Sequence, residues 1–281
     1  MESGDPLVTA EWLKEHISAP DVRVVDATWF PPFLNMERTG RQAWAECHIP
    51  GSVYFDIDAI KAGGTDLPHM LPDPVMFSSR ARKLGLGDGN RIIVYDQFNF
   101  FASARVWWML RVMGQKDVKV LDGGLQAWIE AGGETEDLPP VPVERHFTAR
   151  VRSDLLKDAG QVLTASQGGT HTIIDSRSAE RFSGEAPEPR EGLKSGHIPG
   201  SVCLPSSELR TADGRMKSAE DLSKLFDNPG APTITTCGSG VSAAVTALAL
   251  ARLGNWDVAV YDGSWTEWAS DPSRPIATGK A

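Results

Sequence analysis

The sequence predicts an α/β fold of two tandem modules, each a mainly parallel sheet with helices on both faces. Three observations carry this. First, the chain repeats itself. Val24-Val-Asp26 recurs as Ile173-Ile-Asp175, and His48-Ile-Pro-Gly-Ser-Val53 recurs as His197-Ile-Pro-Gly-Ser-Val202, both offset by 149 residues (175 − 26 and 197 − 48). Near the end of each half, Leu121-Asp-Gly-Gly-Leu-Gln-Ala-Trp128 returns as Tyr261-Asp-Gly-Ser-Trp-Thr-Glu-Trp268, offset by 140 (261 − 121). Second, short β-branched runs alternate with helical segments within each repeat, the pattern of a parallel sheet with crossover helices. Third, 281 residues suit two domains of ordinary size, and contents of 41% apolar and 23% charged residues are those of a globular chain.

In chain order, the apolar spacing predicts helices over Ala10–Ser18, Pro74–Leu84 and Ala102–Met113 in the first half. In the second it predicts Leu155–Ser166, Ser218–Phe226 and Val241–Leu253. Strands are expected at Val22–Asp26, Ile92–Tyr95, Val118–Leu121, Thr172–Asp175, Thr233–Thr236 and Val258–Tyr261, where β-branched residues cluster. Leu138-Pro-Pro-Val-Pro142 reads as an extended, semi-rigid connector. The expected division is therefore a first domain over 1–136, a linker over 137–150 and a second domain over 151–281.

Charge and cysteine usage exclude several functions. A net charge of −9 argues against a nucleic-acid partner or an anionic membrane. Any anionic substrate then needs local arginines. No apolar run approaches a membrane span, and the start, Met-Glu-Ser-Gly-Asp, lacks a targeting pattern. Cysteines 47, 203 and 237 are odd in number and irregular in spacing, which fits neither a disulfide framework nor a zinc site. A reducing compartment, the cytoplasm, is expected.

The chemistry concentrates in Thr233-Ile-Thr-Thr-Cys237-Gly-Ser-Gly-Val-Ser-Ala243, a strand, one cysteine, a glycine-rich loop and a helix. A group at such a junction meets backbone N–H donors without helical partners and the positive end of the helix dipole. Both favour an anion, so Cys237 is the candidate nucleophile as a thiolate. Gly238 and Gly240 let the backbone curl closely around the sulfur. The helix shows apolar residues at 241, 244, 245, 248 and 249, the spacing of one buried face.

The duplication separates fold from chemistry. Arg91-Ile-Ile-Val-Tyr-Asp96 matches Pro232-Thr-Ile-Thr-Thr-Cys237, so Asp96 stands where Cys237 stands. A carboxylate cannot carry sulfur as a nucleophile, and the first half reads as catalytically silent. His48 and His197 share a motif with and without the cysteine, so they read as loop anchors bonded to backbone. The Asp-Gly-Gly and Asp-Gly-Ser turns read as turn geometry. Cys203 is expected on a buried strand, Cys47 partly exposed, and Trp107-Trp108 in the helix–sheet core of the first half.

These landmarks resemble the two-domain rhodanese-like sulfurtransferases over nearly the whole chain: tandem modules, an Asp in the silent loop and a Cys in the active one. Cys237-Gly-Ser-Gly-Val-Ser is similar to the Cys-Gly-Ser-Gly-Val-Thr loop of the members that use 3-mercaptopyruvate, with Ser242 in place of threonine. The resemblance implies covalent catalysis through a Cys237 persulfide, with Gly238, Gly240, Val241 and Ser242 around the substrate and without metal or organic cofactor. Sulfur would pass from 3-mercaptopyruvate to a thiol, thioredoxin or cyanide. Arg181 and Arg190, nine residues apart as in that family, are implied to bind the substrate carboxylate and ketone. Their residue-level rival is a surface arginine paired with Glu185 or Glu188.

Between His48 and Asp96 there are 48 positions, against 40 between His197 and Cys237 (96 − 48 and 237 − 197). This longer stretch holds Asp58 and His69, which the resemblance implies face the cysteine and relay protons with Ser239. The bland alternative is a histidine that holds a proline-rich loop. Thiosulfate-preferring members carry two basic residues after the cysteine, where this chain has Gly238 and Ser239. A Cys-x5-Arg phosphatase needs arginine at 243, where Ala243 stands. A non-enzymatic sulfur-carrier or binding module is the third rival, and an intact reactive loop with two arginines speaks against it.

Overall fold

The computed structural model of the chain describes residues 4–98 and 100–280. The first half holds strands β1 (Leu7–Val8), β2 (Val22–Asp26), β3 (Val53–Tyr54), β4 (Arg91–Tyr95) and β5 (Val118–Leu121). Its helices are α1 (Ala10–His16), α2 (Gly40–Glu46), α3 (Pro74–Lys83), α4 (Phe101–Val112) and α5 (Gly124–Glu130). The second half repeats them as β6 (Leu156–Lys157), β7 (Thr172–Asp175), β8 (Ser201–Cys203), β9 (Thr233–Thr236) and β10 (Ala259–Tyr261). Helices α6 (Ala159–Gly168), α7 (Ala179–Ser183), α8 (Ala219–Ser223), α9 (Ala243–Arg252) and α10 (Ser264–Ser270) accompany them. The sheets have the same order, β1-β5-β4-β2-β3 and β6-β10-β9-β7-β8, and every pairing is parallel. The duplication read in the sequence is thus a duplication of topology.

Several boundaries differ from the sequence reading for local reasons. The helix expected from Leu155 begins at Ala159, because Leu156–Lys157 pairs with β10. Asp158 then caps the helix, its side chain bonded to the Gln161 N–H in a capping box. The helix expected over 218–226 closes after Ser223, with Leu225 N–H reaching back only three residues to Leu222. Cys203 lies on the edge strand β8 and is half-buried, not enclosed.

The largest difference concerns α9. It is buried on every side from Ala243 to Ala251, not on one face. Its partner is α4, equally buried from Ala102 to Val112, and the two helices pack across the junction of the halves. Alanine at five of the first nine α9 positions lets the backbones approach. Trp107 accordingly lies against Trp256 of the other half (ring centroids 6.4 Å apart), and Trp108 donates its indole N–H to the Leu155 carbonyl (3.0 Å). One apolar core runs through both halves. The tryptophan pair therefore belongs to the junction rather than to the first half alone.

The shared motifs tie this frame together. Nδ1 of His48 lies 2.7 Å from the Trp44 carbonyl, and that of His197 lies 2.9 Å from the Phe182 carbonyl. The turn aspartates do more than shape turns. Asp122 accepts the Met216 N–H of the other half (2.9 Å), and Asp262 accepts the Leu71 N–H (2.6 Å). Residues 137–152 carry no helix or strand beyond the described pairing, yet Phe147 is buried and Arg150 N–H bonds to the Met113 carbonyl (2.9 Å).

Candidate active site

Cys237 stands directly after β9 with 2% of its surface exposed. Its N–H donates to the Ser264 hydroxyl (3.2 Å), and its carbonyl accepts the Trp265 N–H (2.9 Å). The Gly238 carbonyl accepts both the N–H (3.0 Å) and the hydroxyl (2.7 Å) of Thr266. The start of α10 therefore holds the first two loop residues. Gly240 has φ +76°, and a Cβ there would stand 2.6 Å from the Asp262 carbonyl oxygen, so the loop closes only on glycine. The helix begins at Ala243, two residues later than its apolar spacing suggests, leaving Val241 and Ser242 in the loop's last turn.

The first half shows what this architecture is built to hold. Asp96 directs one carboxylate oxygen at the N–H groups of Phe98 (3.0 Å) and Phe100 (3.2 Å), and the other at Ser103 N–H (2.9 Å). Burial pushes this carboxyl up, and the N–H donors oppose that. At the offset of 141 (237 − 96), the first two donors correspond to Ser239 and Val241. The module thus forms a cradle of backbone donors for a negative group. A carboxylate fills it in one half, and Cys237 stands at the matching position in the other.

Above Cys237 opens a cleft of about 360 Å³, lined by Cys237, Gly238, Ser239, Val241, Ser242, Arg181 and Arg190. Its far wall comes from the first half: Trp29, Pro31, Pro32 and Phe101. Both guanidinium groups hang over Gly238. A Cβ at that position would stand 3.1 Å from Arg181 Nη2 and 3.9 Å from Arg190 Nη1. They differ in what holds them. Arg181 forms paired contacts with the buried Glu188 carboxylate (3.3 and 2.5 Å), and Glu188 is also held by Arg177 (2.7 Å). The pairing weighed as a rival reading is present, and the same arginine faces the cleft. Arg190 has no hydrogen bond or ion pair to another described residue. Desolvation holds its pKa below the usual arginine value, and the nearby Cys237 charge opposes that.

Asp58 and His69 form a second group. His69 adopts a left-handed backbone (φ +59°) and is buried, with Nδ1 3.1 Å from an Asp58 oxygen. The other Asp58 oxygen accepts the Trp29 indole N–H (2.8 Å), and Trp29 stands edge-on to His69 (5.0 Å, 82°). The close contact with His69 is the main influence holding the Asp58 carboxyl below its usual range. Among the described residues, no hydrogen bond joins Asp58 or His69 to Cys237 or Ser239. Trp29 links the two groups, touching His69 and lining the cleft.

Sequence reasoning missed the apolar wall, because nothing local marks Trp29 as a neighbour of a cysteine 208 residues away (237 − 29). Glu188 was legible only as a possible partner of Arg181, and its burial between two arginines came from the fold. The other cysteines stay apart from this chemistry: Cys47 is half-buried, and burial pushes the Cys203 thiol up to about 11. Among the described residues no group of three or more His, Cys, Asp or Glu could hold a metal, and no helix is long and apolar enough to cross a membrane.

Paired parallel-sheet modules, one with a cradled carboxylate and one with a cysteine at the matching position, define the class, and the chain belongs to the rhodanese family. The family description "Rhodanese-like domain" matches residues 9–131 and 158–271. The chain is 40% identical to the 3-mercaptopyruvate sulfurtransferase of Escherichia coli K12, over 96% of each chain. It is 37% identical to the Arabidopsis thaliana protein named thiosulfate/3-mercaptopyruvate sulfurtransferase 1, mitochondrial, over 98% of this chain and 79% of that one. The crystal structure of SseA from Escherichia coli, described as a 3-mercaptopyruvate sulfotransferase, superposes with a TM-score of 0.85 at 38% identity, covering 93% of this chain and 99% of that one.

Proposed function

We propose that the protein is a 3-mercaptopyruvate sulfurtransferase, with Cys237 as nucleophile and Arg181 and Arg190 as the substrate clamp. The observation that carries this is the placement of both guanidinium groups over Gly238, beside the sulfur, in one cleft. The names of the full-length relatives support the same substrate.

The chemistry follows from that placement. The Cys237 thiolate attacks the thiol sulfur of 3-mercaptopyruvate, forming an S–S bond as the C3–S bond breaks. The released pair becomes the enolate of pyruvate, whose negative charge grows on the ketone oxygen. A guanidinium that reaches this oxygen gains strength during cleavage, whereas one that reaches only the carboxylate binds ground and transition states alike. The proton of the former thiol ends on C3, giving pyruvate and a Cys237 persulfide anion. The cradle donors, Ser239 and Val241 N–H, stabilise the outer sulfur. An acceptor thiol, thioredoxin or cyanide then takes that sulfur and restores the thiolate. Ser239, His69 and Asp58 move the proton, a role supported by the Asp58–His69 contact and by Ser239 in the cleft. The division into a silent domain, a linker over 137–150 and a catalytic domain belongs to this reading. So does a reducing, cytoplasmic setting, which its three free cysteines suit.

Initial rates with cyanide as acceptor test the substrate. The proposal expects pyruvate release from 3-mercaptopyruvate to exceed thiosulfate turnover. A preference for thiosulfate would assign the rhodanese activity instead, and no turnover of either donor would leave a binding module.

A further inference from the structure

Arg105 lies on α4 in the catalytically silent half, and its side chain is fully buried. It nevertheless reaches the loop that carries Cys237. Nη1 donates to the Gly240 carbonyl (3.2 Å) and stands 2.6 Å from an Asp262 oxygen, while Nη2 donates to the His69 carbonyl. The guanidinium also lies over the Trp108 ring, 4.4 Å from its centroid. The other Asp262 oxygen accepts the N–H of Leu71, two residues beyond His69. One cation and one carboxylate therefore join the cysteine loop, the His69 loop and the turn that starts α10.

We infer that Arg105 is a positioning residue for sulfur transfer, acting through the Gly240–Val241 peptide. The inference rests on Cys237 being the nucleophile. A peptide unit is planar, so the direction of the Gly240 carbonyl fixes the direction of the Val241 N–H. In the silent half the equivalent N–H, that of Phe100, donates to the cradled Asp96 carboxylate (3.2 Å). Arg105 thus aims the donor that meets negative charge on the persulfide. Gly240 is required for the same reason, since the peptide sits in a left-handed turn between Asp262 and the guanidinium. Arg105 does not line the substrate cleft, whereas Arg181 and Arg190 do. Its loss should therefore affect the rate of the chemical step and spare substrate binding. Its second contact, to the His69 carbonyl, sets the cysteine loop and the Asp58–His69 pair in fixed relation.

The test uses Arg105→Met, Arg105→Lys and Asp262→Asn in the full chain. Lysine keeps the charge and can reach one carbonyl but not both. Asparagine keeps an acceptor for Leu71 and removes the charge that anchors the guanidinium. Steady-state kinetics with 3-mercaptopyruvate should show kcat reduced by about tenfold or more in Arg105→Met, with partial rescue in Arg105→Lys and KM within about twofold of wild type. Hydrogen exchange needs no substrate, and amides of the 237–242 loop should exchange faster while β9 keeps its protection. Should Arg105→Met not fold, the other two variants decide by the same readouts. A folded variant with kcat within about twofold of wild type, or a rise in KM equal to the loss in kcat, overturns the positioning role. Unchanged loop exchange overturns it as well. A wild-type protein that releases no pyruvate, with loop exchange still accelerated in the variants, overturns the substrate assignment and leaves the Arg105 contact standing.

Discussion

Arg190→Met is expected to abolish efficient turnover without destabilising the fold, and Arg181→Met to do both. The difference comes from their partners. Arg190 is half-buried, lacks an ion pair among the described residues and lies close enough to Arg181 for the like charges to repel. Removing it relieves that repulsion and part of a desolvation penalty, so the melting temperature should hold or rise. Arg181 balances Glu188, whose side chain is only 2% exposed. Its removal leaves Glu188 to Arg177 alone, and a weakened buried pair costs stability. On the reaction side, each variant loses charge-assisted hydrogen bonds worth about 1.5–3 kcal/mol, which is about 10- to 150-fold in kcat/KM. The variant that loses the ketone contact should lose kcat, and the one that loses the carboxylate contact should mainly raise KM. Steady-state kinetics and thermal melts on both proteins read these effects. If both variants stay within about twofold of wild type in kcat/KM, the clamp is wrong. Equal destabilisation of the two would refute the account of their partners.

Other expectations follow from the same contacts. Asp26 is buried and pushed up to about 6 by desolvation, with Thr28 N–H as its partner (2.7 Å), whereas its counterpart Asp175 is gripped by Arg177. A folded-state pKa above the ordinary 3.8 means that stability is lost as pH rises from about 4 to about 6 and stays lost above. Asp26→Asn should therefore stabilise at pH 7.5 by up to about 3 kcal/mol and flatten that pH dependence; urea melts across the range check this, and an unchanged profile would contradict it. Gly238→Ala should fold like wild type but press on Arg181, lowering kcat/KM by about tenfold, as small displacements at a reacting centre do. Gly240→Ala should instead lose about 1–3 kcal/mol of stability, because its φ is positive and its Cβ would collide with backbone. Thermal melts of the two glycine variants separate these outcomes.

The repeated motifs made the fold legible. His-Ile-Pro-Gly-Ser-Val and the Asp-Gly turns recur at fixed offsets, and the inner strands are β-branched runs bounded by turn residues. Strands β1, β3 and β6 are not legible, because two residues carry no periodicity. The full enclosure of α9 is not legible, because apolar residues at 241, 244, 245, 248 and 249 already account for one buried face, and the further alanines that let α4 approach mark no second one. At the site, the strand–loop–helix setting singles out Cys237 and the family resemblance singles out Arg181 and Arg190, and the structure brings the three to one cleft. Arg105 was not, because its role lies in tertiary contacts to Gly240, His69 and Asp262. Asp58 and His69 do come together, and the contact of Trp29 with both required the structure.

Cys237 is expected to carry sulfur as a persulfide. Incubation with 3-mercaptopyruvate, removal of excess donor and mass spectrometry of the peptide that contains Cys237 test it directly. The expected result is a gain of one sulfur atom on that peptide, lost on adding an acceptor thiol, and no gain in Cys237→Ser despite intact Cys47 and Cys203. Sulfur on the Cys47 or Cys203 peptide, or turnover that persists in Cys237→Ser, would contradict it.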